Sequence, residues 1–386
     1  MSWSTAPPPP PGARRTAALA LLAVAALASG LVLGSGAGGV SMSAASRPAA
    51  TPTTTAAPLP GCDDPAALSL RQRLARMIMI GVDGASATEI PTLLQRPDPP
   101  GGIFIGGTGP EVFTTLPGLA AAHRTLIAVD EEGGRVQRID ALDGSIPSPR
   151  RQAATMSAEG IRRLARQRGQ QLAARGVTMD LAPVVDVTSQ ADADVIGDRS
   201  YGATAAEVTR YAGAFAGGLR GAGILPTLKH FPGHGRASGD SHRAQVSTPP
   251  LAELEKVDLL PYRRLLGESP VAVLVGHLDV PGLTEAGVPA SLSPATYRYL
   301  RSDLRFDGLA VTDDLTNMAA VRQRFGVAEA VERALIAGAD LALVNDVANL
   351  DPVLAHLEEA HAAGRLGDER ILAALRHSRL AAGCAS

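Results

Sequence analysis

A chain of 386 residues with a formal charge of −2 and 3% aromatic residues has room for one large domain or two ordinary ones. Arginine is spread along it instead of forming a basic block, which argues against nucleic acid as the main partner. Abundant Ala and Gly with few aromatics fit a helix-rich α/β protein better than an all-β one.

Residues 1–61 are a different kind of sequence. A proline run at 7–11 precedes Arg14 and Arg15, and residues 16–33 are almost wholly small and apolar. A basic flank followed by an apolar stretch predicts export. About eighteen apolar residues stand at the border between a long signal peptide and a short membrane anchor, so both readings stay open for residues 1–34. The positive flank would keep the N-terminus in the cytoplasm and place the rest outside, so the membrane is met only through this segment. No Cys follows the apolar run to carry a lipid, and the arginine pair alone is a weak twin-arginine signal. Residues 35–61, rich in Gly, Ser, Ala, Thr and Pro, cannot build a core and read as a disordered tether.

Cys62 and Cys384 stand at the two ends of the expected folded part, residues 62–386. An even cysteine count in an exported chain permits a disulfide between them; two unpaired thiols is the alternative.

From residue 75 onward, short apolar runs alternate with helical patterns. The runs are 77–82, 102–105, 126–129, 177–183, 224–229, 271–276, 308–312 and 340–344. Each lacks clear alternation and is bounded by Gly, Pro or Asp, as expected of strands buried on both faces. Amphipathic stretches at 158–175, 205–221, 327–338 and 370–382 read as helices. Eight strand–helix repeats predict a (β/α)8 barrel as a single catalytic domain. Closure would make the first and last strands neighbours and bring Cys62 and Cys384 together. The alternative, a doubly wound open sheet, needs a switch point and usually a Gly-rich nucleotide loop, and no such loop lies in the right context.

A barrel builds its active site at the C-terminal ends of its strands. Those ends carry Asp130-Glu131-Glu132, Asp186, Lys229-His230, His277 with Asp279, and Asp313-Asp314, whereas strand starts carry hardly any polar groups. Lys229 is one of only two lysines, and the segment from Leu228 to His242 also holds His230, His234 and Asp240 in a Gly-rich loop. Such a loop after a strand is a place to look for chemistry, and its glycines predict mobility. His230, His234, His242 and Asp240 could be imagined as zinc ligands, but the spacing fits no known motif, Lys229 would repel a cation, and no HExxH is present. Neither a metal nor a cofactor is expected.

Four stretches together resemble the single-domain bacterial β-N-acetylhexosaminidases of glycoside hydrolase family 3, enzymes of peptidoglycan turnover. They are Val-Asp-Glu-Glu-Gly-Gly-Arg-Val-Gln-Arg (129–138), Val-Ile-Gly-Asp-Arg-Ser-Tyr (195–201), Lys-His-Phe-Pro-Gly-His-Gly with Asp-Ser-His (229–242), and Val-Thr-Asp-Asp-Leu (311–315). The resemblance spans roughly residues 65 to 345. It implies an exo-acting, retaining enzyme in which Asp313 is the nucleophile and His242, paired with Asp240, the acid/base. Strand alternation also favours Asp313 over Asp314, which can cap the following helix. The resemblance further implies that Asp130 accepts hydrogen bonds from a terminal sugar, with Arg138, Arg199, Lys229 and His230 as the remaining contacts. Arg138 also reads as an exposed helix residue, His234 as a structural residue of the Pro-Gly loop, and His277 either way.

Two small departures stand out: residues 188–194 lack the Asn-rich stretch common in the family, and Met318 lies one residue later than in many members. The barrel is expected to use up the chain, without the second domain of larger family 3 β-glucosidases, so a broad β-glucosidase on the same site is kept only as a less favoured alternative. The expected partner is a GlcNAc-containing glycan met outside the cytoplasm by a monomer. Two other functions stay open: a phosphorylase, because a His acid/base repels an incoming anion less than Glu would, and a non-catalytic wall-binding barrel.

Overall fold

The computed structural model describes residues 62, 64–86, 88–107, 109–117, 125–241 and 243–384. The expected signal or anchor and the expected tether lie outside them. Among the described residues no helix is long and apolar enough to cross a membrane.

Eight parallel strands form the centre: β1 (Ile78–Asp83), β2 (Gly102–Gly106), β3 (Leu126–Val129), β4 (Met179–Asp180), β5 (Leu225–Phe231), β7 (Ala272–Val275), β9 (Ala310–Thr312) and β10 (Ala342–Val344). A separate parallel pair, β6 (Val246–Ser247) with β8 (Leu278–Asp279), stands beside the mouth. The sheet order is β10-β1-β2-β3-β4-β5-β7-β9. A bridge between Val311 and Leu341 joins its two edges, with Asp340 N–H donating to Ala310 O at 2.9 Å and Thr312 N–H to Leu341 O at 3.1 Å. This is the predicted (β/α)8 barrel, with each predicted strand in place.

The runs lack alternation because both faces of each strand are buried, but in different layers. Met79, Phe104, Ala128, Met179, Leu225, Leu274, Val311 and Leu343 belong to one apolar cluster, the barrel interior. Their neighbours Ile80, Ile103, Ile127, Leu228, Val273 and Val344 belong to another, between strands and helices. Register ties the inward set together, with Phe104 opposite Ala128, Ala128 opposite Met179 and Leu274 opposite Val311. This parity decides which residues reach the mouth.

The helices at Ala158–Ala174 and Ala205–Arg220 match the predicted amphipathic stretches. The second begins with a capping box, Thr204 and Glu207 each binding the other's backbone N–H. The two pack backbone to backbone, since a Cβ on Gly218 would stand 2.5 Å from Arg162 O. Apart from β4, strand boundaries lie within two residues of prediction, and β3 matches at both ends. Regular β4 ends at Asp180, short of 183, since Pro183 has no N–H to give, while single bonds continue the contact beyond it, such as Val185 N–H to Lys229 O at 2.8 Å. A second difference concerns strand starts. Asp340, just before β10, is fully buried and accepts from Arg301 (2.6 Å), Arg370 (2.7 Å), His377 (2.9 Å) and Ala310 N–H (2.9 Å). The closed face therefore carries a buried ion cluster that apolar patterning did not anticipate.

Cys62 and Cys384 form a disulfide with Cα atoms 5.5 Å apart. It spans 322 residues and ties the segment entering the barrel to the end of the helix at Asp368–Ala381. On the chain-entropy account such a crosslink stabilises by up to about 6 kcal/mol. Cys62→Ser should therefore lower the urea midpoint with unchanged far-UV circular dichroism; an unchanged midpoint would show that other contacts already hold these ends.

Candidate active site

The mouth is built from the end of β3 outward. Asp130 continues the inward series of Leu126 and Ala128, and Glu131 turns the other way. Glu131, fully buried, accepts from Arg138 N–H at 2.6 Å and Ile139 N–H at 3.2 Å, while its own N–H donates to Asp180 at 2.9 Å. These bonds fold the loop back on itself through Gly133, whose φ of +95° suits glycine. Arg138 Nη2 is thereby brought 3.5 Å from Asp130 Oδ2, half-buried and not on an exposed helix. Burial pushes the Glu131 carboxyl up, and that of Asp180 far up.

From β5, Lys229 enters the same space. Its Nζ is 2.6 Å from Asp130 Oδ1 and 2.6 Å from Glu132 Oε1. Glu132, wholly buried, also takes Arg199 in a two-pronged contact of 2.8 and 2.7 Å. Burial opposes its ionisation, but the Arg199 and Lys229 charges outweigh that and hold its carboxyl well below the usual range. Burial likewise works against the Lys229 ammonium, and Asp130 and Glu132 overcome it. The peptide between Lys229 and His230 is cis.

Arg199 Nη2 lies 3.5 Å from His230 Nε2, and His230 Nδ1 lies 2.7 Å from Asp186 Oδ2. Asp186 is fully buried; despite that desolvation, the charge and hydrogen bond of His230 keep its carboxyl low. Asp130, Arg138, Lys229, Arg199 and His230, expected to meet the sugar, thus form one connected network. Two members of that network were not among the expected site residues. In the sequence Glu132 is one residue of an acidic run and Asp186 a strand end. Alternation along β3 returns Glu132 to the side of Asp130, which is the signal that could have found it.

Asp313 follows Leu309 and Val311 on the inward face, with Oδ1 accepting from Asp314 N–H at 2.9 Å. Asp314 does what a capping residue does: it accepts from Thr316 N–H at 2.8 Å and Asn317 N–H at 3.3 Å. His277 has Nε2 2.8 Å from Asp314 O and Nδ1 2.6 Å from Ser291 Oγ. Asp279 accepts from Thr284 Oγ1 at 3.1 Å. Asp240 lies on the loop after β5, its carboxylate 3.5 Å from Arg243 Nε. His242 lies outside the described residues. Among the described residues no three His, Cys, Asp or Glu side chains are gathered as a metal would need.

A closed barrel with charged side chains from several strands converging at its C-terminal mouth is the build of a barrel enzyme. The comparisons specify which kind. The chain belongs to glycosyl hydrolase family 3: the model for the glycosyl hydrolase family 3 N terminal domain matches residues 70–379. It is a glycoside hydrolase. It is 47% identical over 362 residues to the beta-hexosaminidase LpqI of Mycobacterium tuberculosis, covering 89% of this chain and 92% of that one. A glycosyl hydrolase of the same family from Mycobacterium smegmatis superposes with a TM-score of 0.78 at 50% identity, over 83% of this chain and 98% of that one. A family 3 beta-N-acetylglucosaminidase from Paenibacillus does so at 0.75 and 32%, over 82% and 63%.

Replacing Glu132 by Gln leaves Lys229 and Arg199 buried with less counter-charge, so it should cost about 3 kcal/mol at pH 7. The folded-state carboxyl is depressed, so its stabilisation is complete above the unfolded value of about 4.3 and is lost as pH falls below it. The deficit of Glu132→Gln against wild type in urea unfolding should accordingly shrink below about pH 4. A deficit that stays constant into acid would show that Glu132 is not the ionised partner.

Proposed function

We propose that this chain is an exo-acting, retaining β-N-acetylglucosaminidase that removes terminal β-linked GlcNAc from cell-wall muropeptides or related glycosides. The observation that carries the reading is the inward placement of Asp313 at the end of β9, in the barrel whose mouth holds the Asp130–Lys229–Glu132–Arg199–His230 network. The names of the relatives support the sugar class. Asp130 accepts hydrogen bonds from hydroxyls of the terminal sugar, and Lys229, Arg199, His230 and Arg138 complete its contacts. Because Lys229 and Arg199 are already fixed by Glu132, little ordering remains to be done on binding.

In the first step an Asp313 carboxylate oxygen bonds to the anomeric carbon as the bond to the leaving oxygen breaks. His242, oriented by Asp240, gives its proton to that oxygen. In the second step the now neutral imidazole takes a proton from water, whose oxygen attacks the anomeric carbon and releases Asp313. The sugar keeps its β configuration, and His242 regains its proton.

The disulfide fits an oxidising, extracytoplasmic compartment, which is where cell-wall glycans are met. Export or anchoring through residues 1–34 belongs to the same reading.

Asp313→Ala should lower kcat on an aryl N-acetyl-β-glucosaminide by several orders of magnitude with the fold retained. Asp314→Ala should act mainly on stability, since its carboxylate caps a turn. Residual activity in the first with none in the second would reverse the assignment. The N-acetylglucosaminide should be cleaved far faster than the β-glucoside, with a rate independent of phosphate. A rate that rises with phosphate would make the enzyme a phosphorylase, and no turnover of either glycoside would favour a binding barrel.

A further inference from the structure

Beyond the buried residues 232–235, the loop between β5 and β6 turns outward: Arg236, Ser238, Gly239 and residues 243–245 are exposed. Within this outer part Ser241 is buried, at 2% exposure. A buried serine in an exposed loop raises the question of what its polar atoms hold. Its Oγ is 3.3 Å from Nε2 of His234, at the start of the same loop. Its carbonyl oxygen accepts from Ala320 N–H at 3.3 Å, in the short helix Ala319–Arg322 that follows the turn capped by Asp314.

His234 is itself anchored. Its N–H donates to Asp186 at 2.6 Å, the carboxylate that also holds His230, and its ring stands edge-on to that of His230. Ser241 therefore joins three parts of the mouth: the end of β5, the buried carboxylate after β4, and the loop that begins at Asp313. It is also bonded covalently to Asp240 on one side and His242 on the other.

We infer that Ser241 is a positioning residue for the proton-transfer step, clasping the acid/base loop to His234 through its hydroxyl and to the Asp313 loop through its carbonyl. This rests on reading Asp240 and His242 as the acid/base pair. His234 serves as the fixed post of the clasp. Burial, followed by the neighbouring His230 charge, lowers its pKa, so a neutral ring is available to Ser241 at neutral pH. The reason a clasp matters is geometric: a donor displaced by an ångström from the leaving oxygen loses much of its effect. The acid/base loop follows β5 and the Asp313 loop follows β9, with β7 paired between them, so the strands fix the bases of the two loops and the spacing of their outer parts depends on contacts like these.

The test uses the full chain, two substrates and a cycle of variants. Ser241→Ala removes the hydroxyl and leaves the backbone bonds intact. It should lower kcat on chitobiose, whose leaving sugar needs protonation, roughly five- to tenfold, as expected for one lost hydrogen bond. On the 4-nitrophenyl glycoside it should stay within about twofold, with KM unchanged on both, because an activated leaving group needs little protonation. His234→Ala should show the same leaving-group pattern, and His234→Gln, which can keep an N–H near the position of Nε2, should restore most of the chitobiose rate. The double variant Ser241→Ala/His234→Ala should be no worse than the poorer single one, because both remove one contact.

Equal losses on the two substrates, a loss confined to KM, or no loss would overturn the clasp. His242→Ala is the control for the underlying reading. If it discriminates strongly between leaving groups while Ser241→Ala does not, the clasp alone is wrong. If His242→Ala does not discriminate, the acid/base assignment falls and the clasp with it.

Discussion

The ammonium of Lys229 is the contact on which the mouth depends. A buried lysine is costly unless its charge is matched at close range. Here two carboxylate oxygens, one from Asp130 and one from Glu132, each stand 2.6 Å away. Both partners come from β3, whereas the lysine comes from β5, with β4 between them. The ion pair therefore spans an intervening strand across the top of the barrel interior. Glu132 then passes its remaining capacity to Arg199, so the loop after β4 is bound into the same unit. Asp130 and Glu132 are thereby both engaged by a cation of the chain's own.

Around this centre, side chains divide by parity. Inward positions carry Asp130, Glu132, Lys229 and Asp313, toward the mouth, and outward ones carry Glu131 and Asp314, which hold loops in shape. Adjacent acidic residues with such different duties follow from the period of two along a strand. The same rule separates the apolar residues below into an interior layer and a layer under the helices.

The opposite end of the barrel does another job. Asp340 gathers Arg301, Arg370 and His377 where the last helix meets the strands, and the Cys62–Cys384 bridge closes the same end. These groups bind elements that are far apart in sequence and lie away from the mouth. Charge is buried at both ends, in one case to hold a substrate site and in the other to hold the chain's own ends.

Much of this was legible in the sequence. Unalternating apolar runs bounded by Gly, Pro and Asp located all eight barrel strands, because doubly buried strands need apolar residues on both faces. Titratable residues at their ends located the mouth, and the two cysteines together with barrel closure located the bridge. Only the tertiary structure decided which polar residues act on one another. Glu132 meets Arg199 across 67 positions, and Asp186 meets His230 across 44. No local period encodes those pairings. They exist because closing the barrel stacks separate strand ends in one ring and removes the water that would otherwise have served each group alone.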